Sequence, residues 1–325
     1  MQYHRYGRAQ LRCSKMIMGT GQGGGIFIEA KPEEQLELMN HALDLGVNWF
    51  DTAFQYGQGK SETNLGGCLA KTDTCPLIST KFGITSEDLS DIPGAIERSL
   101  NDSFERLGLT RIDLFQLHDF IGKDAGERTL TPHQILGPNG VVEGLAKLKD
   151  AGLIRATGFT AKGESDALLE IANSGAFDSS QVFYNMLNPS AGQDMPAAWE
   201  GQNFHGLIAA CRKNGTGVMA VRVFAAGVLA TDHRTGRESI QYENASISSE
   251  EARAHAVFKI LEDRYGSRAQ TAVRFCLAHP DIDVVNVGVY DIAQLDEAVK
   301  ATEMGPLPDE AIQTLNQLYA KNFGL

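Results

Sequence analysis

Eight short apolar runs alternate with amphipathic stretches along almost the whole chain, and this alternation limits the possible folds more than any other feature. The predicted strands cover residues 16–19, 47–51, 77–81, 113–118, 156–160, 180–184, 217–221 and 283–288. The intervening stretches, such as PEEQLELMNHALDLG and GVVEGLAKLKDAG, place apolar residues at helical spacing and end on glycine. Repeated strand–helix units build parallel α/β sheets. The count favours a (β/α)8 TIM barrel, although a doubly wound sheet has the same periodicity.

The length of the chain and its first residues complete the predicted architecture. The 325 residues suffice for one large core, and no Pro-, Gly- or Ser-rich linker divides them, so we expect one domain over residues 1–325. The opening segment, MQYHRYGRAQLRCSK, precedes the first predicted strand. It is expected to form a short N-terminal β-hairpin that plugs one end of the barrel.

Composition excludes several classes of partner. The net charge of −12 argues against nucleic acid, whose phosphates need concentrated Lys and Arg. The five cysteines include no CxxC pair, which argues against a disulfide framework or a zinc site. No apolar run approaches the ~20 residues that cross a bilayer, and no signal-peptide core is present. We therefore expect a cytoplasmic protein that binds neither nucleic acid nor a membrane, and the oligomeric state stays open.

Side chains suited to proton transfer follow three successive predicted strands. Asp51 and Tyr56 lie in VNWFDTAFQYG, Lys81 lies in PLISTKFG, and His118 lies in IDLFQLHD. In a barrel, the loops that leave the carboxyl ends of the strands meet at one face. There the Lys81 ammonium would lower the pKa of the Tyr56 phenol, ordinarily about 10, and Asp51 would keep the lysine charged. His118 would bond a substrate oxygen and hold it against the Tyr56 hydroxyl.

Each of these residues also has an ordinary structural explanation. Asp51 could cap a turn, Tyr56 could be a loop aromatic, Lys81 a solvated strand end, and His118 a core histidine. Taken singly, these explanations are at least as good, and only the joint placement at one barrel face favours catalysis. A metal-dependent barrel lyase would need clustered acidic ligands at strand ends, and only Asp51 and Asp119 approach that pattern. We therefore expect no metal site.

At these motifs the chain resembles the aldo-keto reductases. The segment GVNWFDTAFQYG, continued by Ser61-Glu62 and Leu65-Gly66, is similar to the leading signature of that family, and STKFG and LFQLHD are similar to its next two. LIRATGFT, SSQVFYNMLN and the closing AQTAVRFCLAHPDIDVVNVGVYDIAQLDEAV also have counterparts. The resemblance thus extends over nearly the whole chain.

The resemblance implies a fold, a cofactor and a set of roles. It implies a (β/α)8 barrel that binds extended NAD(P)H without a Rossmann fold and transfers hydride between the nicotinamide and a carbonyl or alcohol carbon. It implies Tyr56 as general acid/base, Lys81 and Asp51 as the pair that tunes it, and His118 as the residue that orients the carbonyl. An alternative is a regulatory subunit that binds the cofactor and senses its redox state within a larger assembly.

The glycine cluster GTGQGGG follows the first predicted strand, at Gly19 and Thr20. A dinucleotide fingerprint requires a helix that begins directly at the glycines, and the following IFIEAKPEE does not predict one. We expect instead a flexible loop at the barrel mouth, where a ligand approaches the backbone of Gly19 and Thr20 closely.

Other cofactor positions match the family only in part. Gln181 stands where relatives bind the nicotinamide carboxamide, and the usual Ser-Asn pair after the fifth strand is here Thr160-Ala161. Val221 replaces a tyrosine that stacks on the nicotinamide in many members. The neighbouring Arg222 is either a phosphate contact or a solvated loop arginine.

The segment after the eighth strand bears on the choice between NAD and NADP. It reads GVYDIAQLD from Gly288 onwards and contains no Lys or Arg to hold a 2′-phosphate. Asp291, with Gln294 in the same segment, is expected near the adenosine ribose, where a carboxylate accepts from a 2′-hydroxyl and repels a phosphate. Asp291 could equally cap the following helix. The balance favours NAD, although Arg222 or Arg274 could supply a phosphate contact for NADP.

The sequence leaves the substrate open between two classes. The stretch TPHQILGPNGVVEGLAKLKDAG, with the long loop after His118, is similar to bacterial members that oxidise aldoses at C1 or act on other polyhydroxylated or heterocyclic aldehydes and alcohols. Candidate ligands for sugar hydroxyls are Gln55, Gln58, Asn185 and Asn188. Candidate walls for an aromatic carbonyl compound are Phe54, Phe82, Phe120, Trp199 and Phe224.

Overall fold

The structure is a computed structural model that describes residues 1–234, 236, 238 and 245–325. Its strands are β1 (Tyr3–Tyr6), β2 (Leu11–Ser14), β3 (Met16–Gly19), β4 (Trp49–Asp51), β5 (Leu77–Phe82), β6 (Ile112–Leu117), β7 (Phe120–Ile121), β8 (Thr129–Leu130), β9 (Ile154–Ala161), β10 (Ser179–Phe183), β11 (Gly217–Val221) and β12 (Val284–Gly288). Its helices are α1 (Ile26–Glu29), α2 (Pro32–Asp44), α3 (Lys60–Leu69), α4 (Ile92–Leu107), α5 (Pro132–Leu136), α6 (Val141–Asp150), α7 (Ser165–Ser174), α8 (Leu207–Lys213), α9 (Ile247–Leu261), α10 (Arg268–Ala278), α11 (Ile292–Met304) and α12 (Asp309–Tyr319).

Eight of these strands close into a parallel barrel. The order is β3-β4-β5-β6-β9-β10-β11-β12, and β12 pairs back onto β3 with Val285 opposite Met16 and Gly288 opposite Gly19. This closure confirms the (β/α)8 TIM barrel and excludes the doubly wound sheet. All eight predicted strands are present, and the largest difference in a boundary is two residues, as at β4, which begins at Trp49.

The N-terminal β-hairpin is also confirmed. Strands β1 and β2 pair antiparallel, and Tyr6 at the end of β1 is fully buried. The Tyr6 hydroxyl lies 2.7 Å from Ser179 Oγ and donates to the Gly217 carbonyl at 3.0 Å, at the amino ends of β10 and β11. Its ring meets Trp49 edge to face, with centroids 5.1 Å apart. The hairpin therefore closes the barrel at the end opposite the catalytic candidates.

Helix α4 illustrates how the sequence sets the outer layer. Asp91 caps its start by accepting a hydrogen bond from the Gly94 amide, and Gly108 ends it with φ at 66°. Aspartate at the cap and a left-handed glycine after the last turn are common helix boundaries. The apolar residues Ile92, Ile96 and Leu100 lie on the buried face, so the amphipathic pattern sets which side packs on the barrel.

The glycine cluster differs from its prediction in one respect. A single helical turn, α1, begins directly after Gly25, where the sequence predicted no helix start. The turn is four residues long, and the next helix begins only at Pro32. Gly24 packs tightly against the segment after β12, because a Cβ there would lie 2.4 Å from the Val289 carbonyl oxygen. The cluster thus packs the loop after β3 against the segment after the neighbouring strand β12.

Among the helices of the described ranges, none combines the length and the apolar character that a bilayer crossing requires.

Candidate active site

The carboxylate of Asp51 lies inside the barrel near the carboxyl ends of the strands. Asp51 is the last residue of β4 and is about 1% exposed. Both of its oxygens accept hydrogen bonds from side chains of four other strands. Oδ2 accepts from Lys81 Nζ at 2.7 Å, Asn286 Nδ2 at 2.8 Å and Gln181 Nε2 at 2.9 Å, and Oδ1 accepts from Ser79 Oγ at 2.6 Å and Gln116 Nε2 at 3.4 Å.

Three of these donors, Ser79, Gln116 and Asn286, were not identified from the sequence. A signal for them does exist, since side chains at alternate positions of a strand face the same side. Ser79 stands two residues before Lys81 on β5, and Gln116 and Asn286 each stand between two apolar residues of their strands. A buried polar group needs a partner, so polar residues in such strands indicate a shared polar layer in the barrel interior.

Lys81 is fully buried and joins Asp51 to Tyr56. Its ammonium donates to Asp51 Oδ2 at 2.7 Å, to the Thr52 carbonyl at 2.7 Å and to the Tyr56 hydroxyl at 3.4 Å. Burial acts to lower the pKa of Lys81, but the Asp51 carboxylate and Tyr56 outweigh it and raise that pKa above the ordinary lysine value. The side chain is therefore a cation at neutral pH.

Tyr56 lies half-buried above this pair, with Gly21 against its ring. Burial raises the pKa of Tyr56, the Lys81 charge lowers it, and the Asp51 charge raises it again, so that the net pKa lies above 10. Lys81 acts on this pKa in the predicted direction, but desolvation outweighs its charge. The phenol is therefore protonated at neutral pH, as a proton donor must be.

His118 faces Tyr56 edge to face, with ring centroids 5.8 Å apart. Burial lowers the pKa of His118 well below 6.5, and the charges of Lys81, Lys162 and Arg128 lower it further. The ring is therefore neutral, with one donor and one acceptor nitrogen. Nδ1 lies 3.0 Å from Gln55 Oε1, which makes Nδ1 the donor and leaves Nε2 as an acceptor for a substrate hydroxyl. Donation from Nε2 to a carbonyl oxygen requires the Gln55 amide to turn over.

Thr160 and Gln181 lie side by side on the neighbouring strands β9 and β10. The two residues are register partners in the sheet, and both are almost fully buried. Gln181 commits its amide nitrogen to Asp51, which leaves its side-chain carbonyl as an acceptor. Within the described residues, the buried Thr160 hydroxyl has no hydrogen-bond partner. A buried polar atom without a partner is costly, and a carboxamide with both a donor and an acceptor would satisfy this pair.

Gly19 and Thr20 pack and form hydrogen bonds within the barrel wall. A Cβ at Gly19 would lie 2.5 Å from Asn286 Oδ1, so glycine allows Asn286 to reach Asp51. The Thr20 hydroxyl is buried 2.8 Å from Ser61 Oγ and donates to the Asp51 carbonyl at 3.2 Å. The threonine side chain is therefore engaged within the wall.

Arg222 follows β11 with φ at 63°, and its carbonyl accepts a hydrogen bond from Asn185 Nδ2. Its charge acts on Glu250 of α9, whose pKa is raised by burial and lowered in part by Arg253 and Arg222. Arg222 thus already has an acidic neighbour in the protein.

Asp291 caps helix α11 in the structure. Its Oδ1 accepts from the Gln294 amide at 2.8 Å, and Gln294 Oε1 in turn accepts from the Tyr290 amide at 2.9 Å. Asp291 is therefore observed as a helix cap. Its negative charge still lies in the segment that follows Gly288. Arg274 does not provide the missing cation, because its guanidinium donates to the carbonyls of Tyr265, Gly305 and Pro306.

Several candidate substrate ligands are engaged elsewhere. Asn185 Oδ1 accepts from the Leu187 and Asn188 amides, and Asn188 bonds Ser190 and the Gln202 carbonyl, so both asparagines hold their own loop. These bonds weigh against the two asparagines as ligands for sugar hydroxyls. Phe82 is fully buried against Phe115, and Trp199 packs on Tyr319 and Phe323, which removes both from a pocket lining.

Phe54 and Phe120 remain exposed at the barrel mouth, each at 40%. They follow β4 and β6, the strands that end at Asp51 and just before His118. In the part of the chain that the structure describes, no group of three or more His, Cys, Asp or Glu could hold a metal ion.

Comparison with known proteins identifies the family of the chain. Pyridoxal 4-dehydrogenase of Microbacterium luteolum is 25% identical over 340 aligned residues, which cover 95% of each chain. D-threo-aldose 1-dehydrogenase of a Pseudomonas species is 29% identical over 271, covering 74% of each. The holo form of the aldo-keto reductase AKR11C1 from Bacillus halodurans shares the fold, with a TM-score of 0.75, 22% identity and coverage of 98% of this chain and 96% of that one. The model of the Aldo/keto reductase family matches residues 15–320, and the chain therefore belongs to this family of oxidoreductase enzymes.

Proposed function

We propose that the chain is a single catalytic barrel domain that interconverts a carbonyl compound and an alcohol, with NAD(P) as cofactor and Tyr56 as general acid/base. The observation that carries this proposal is the buried chain of contacts Asp51–Lys81–Tyr56 at the barrel mouth. It places one titratable hydroxyl at the accessible end of an otherwise buried charge pair, which is the arrangement that a proton-transfer residue requires.

In the reducing direction, Tyr56 donates its proton to the substrate oxygen, and Lys81 stabilises the phenolate that remains. Asp51 keeps Lys81 charged during this step, and in the oxidising direction Tyr56 takes the proton back. His118 positions the substrate oxygen through its Nε2. This nitrogen accepts a hydrogen bond from an alcohol hydroxyl, and after the Gln55 amide turns over it donates one to a carbonyl oxygen. When bound, the nicotinamide supplies or accepts the hydride.

Thr160 and Gln181 are the residues that would hold the nicotinamide carboxamide. Their unused hydroxyl and side-chain carbonyl match the donor and acceptor of that group. Arg222, Gly288 and the backbone near Gly19 border the same mouth and are proposed as further contacts along the cofactor.

We further propose an aromatic or heterocyclic aldehyde as the substrate, in preference to a sugar. Asn185 and Asn188, the candidate asparagine ligands for sugar hydroxyls, bond within their own loop. Phe54 and Phe120, in contrast, expose apolar faces at the barrel mouth. The name of the relative pyridoxal 4-dehydrogenase is consistent with a heterocyclic aldehyde. The name of the relative D-threo-aldose 1-dehydrogenase is consistent with the alternative, a sugar.

The test is a fluorescence titration with NADH and NADPH, followed by turnover with aromatic aldehydes, aldoses and the corresponding alcohols in both directions. We expect micromolar to submillimolar cofactor binding and turnover with at least one aromatic aldehyde. Tight cofactor binding with no turnover across the whole panel would instead support the regulatory-subunit alternative.

Cofactor preference follows from charge. The segment after β12 carries Asp291 and no cation, and Arg274 is engaged with three carbonyls, so we expect a higher kcat/KM with NAD(H) than with NADP(H). Asp291→Asn keeps a helix cap while it removes the charge, so it should improve the use of NADP(H) without a loss of stability. Asp291→Arg should improve it further and lower stability by ~1 kcal/mol through the lost cap. A wild-type preference for NADP(H) would refute the inference.

A further inference from the structure

We propose that Lys162 forms an anion subsite beside the catalytic residues, so that the preferred substrates are aldehydes that carry a carboxylate or phosphate group. This inference rests on the proposed carbonyl chemistry at Tyr56 and specifies its substrate class.

Lys162 lies directly at the barrel mouth next to His118. It follows the last residue of β9, the neighbour of β6, and its carbonyl accepts from the Ile121 amide at 2.9 Å. This bond holds Lys162 against the segment that follows His118. The Lys162 ammonium lies 4.6 Å from the ring centroid of Phe120, whose side chain is among the exposed aromatics.

Lys162 differs from the other cations of the site in its pairing. Lys81 is bound to Asp51, and Arg128 is bound to Asp119, which also accepts from the Ile84 amide. Among the described residues, no carboxylate lies within ion-pair distance of Lys162. A partly buried ammonium without a paired carboxylate retains its attraction for an anion that enters from solvent.

The charges around Lys162 support this role. Burial, together with the charges of Arg128 and Lys81, lowers the pKa of Lys162 to about 8 against the opposing effect of Asp119. Lys162 also lowers the pKa of His118, so the two side chains share one environment. An aldehyde whose oxygen lies between Tyr56 and His118 would therefore place a second, anionic group toward Lys162, with its apolar body against Phe120.

The test compares two probe substrates of similar shape, 4-carboxybenzaldehyde and its neutral methyl ester. Wild type should favour the carboxylate by about tenfold or more in kcat/KM, as expected for a charge-assisted hydrogen bond. Lys162→Met should remove this preference, mainly through KM, and leave the ester unchanged. Lys162→Arg should retain it. The matched control is Lys123→Met, which removes an exposed lysine paired with Asp166 and should change neither substrate.

The ratio of kcat/KM for the carboxylate probe to that for the ester should depend on pH. The groups that face Lys162 are Asp119, Arg128, Lys81 and His118. His118 has a pKa well below 6.5 and Lys81 one above 10.5, so neither titrates near pH 8. Because kcat/KM reports the free enzyme, the carboxylate preference should fall as pH rises through about 8 and Lys162 loses its proton.

Calorimetric binding of 4-carboxybenzaldehyde separates the two proposals. A Kd that weakens about tenfold in Lys162→Met supports the subsite even in the absence of turnover, which would count against the proposed function alone. Turnover of both aldehydes with equal efficiency in wild type, or an equal loss for both in Lys162→Met, would overturn the subsite and leave the proposed function intact.

Discussion

Replacement of Tyr56 by phenylalanine should lower kcat by about 10²-fold or more, while cofactor binding and folding remain. The magnitude is that of removing a general acid/base, and it follows because the phenol hydroxyl is the proposed proton donor. The fold should persist because the hydroxyl makes one long contact, 3.4 Å to Lys81, which keeps its shorter bonds to Asp51 and Thr52.

The measurement is kcat in both directions with the best aldehyde–alcohol pair, together with an NAD(H) titration. Tyr3→Phe is the matched control, since it removes an equivalent hydroxyl, bonded to the Gly46 carbonyl, at the closed end of the barrel. Tyr3→Phe should retain wild-type kcat. Wild-type turnover in Tyr56→Phe would remove Tyr56 from the chemistry.

Replacement of Lys81 by methionine should abolish most activity at neutral pH and also destabilise the protein. The Lys81 charge lowers the Tyr56 pKa against the effect of burial, so its removal raises that pKa further. In the oxidising direction Tyr56 must be deprotonated, and the ascending limb of the pH–rate profile should therefore shift to higher pH. A profile unchanged from wild type would reduce Lys81 to a structural role.

The stability effect follows from the buried Asp51 carboxylate. Removing one partner of a buried ion pair costs roughly 3–5 kcal/mol. The four donors that remain on Asp51 place this case at the lower end, about 3 kcal/mol; they are Ser79, Gln116, Gln181 and Asn286. Urea unfolding measures it. Lys149→Met is the control, because it breaks an ion pair with Asp178 that lies at the other end of the barrel and is partly exposed.

Asp51→Asn provides the complementary variant. It removes the partner of Lys81 and should lower activity in the same direction but less severely, since the cation beside Tyr56 remains. The double variant Asp51→Asn/Lys81→Met should be more stable than the sum of the two single effects predicts, because neither buried charge is then left alone. Strict additivity would show that the pair is not coupled.

The sequence by itself determined the strand–helix alternation and the strand ends at which the chemistry lies. Both are local properties, since apolar periodicity and capping residues act within one element, and a barrel brings successive strand ends together. Asp51, Tyr56, Lys81 and His118 could therefore be placed at one face before the structure was known, and Gln181 by resemblance to a family.

The tertiary structure decided how those residues behave. Asn286 reaches Asp51 across 235 residues of sequence. A polar residue in an apolar strand indicates that it needs a buried partner, but no local pattern identifies that partner as Asp51. The raised pKa of Tyr56 depends on burial, which a sequence motif does not measure, so the charge of Lys81 alone does not set the net direction. The position of Lys162 beside His118, without a carboxylate among its described neighbours, likewise arises only when β6 and β9 pair. Long-range packing sets desolvation and charge pairing, and these two quantities determine what a side chain at a strand end can do.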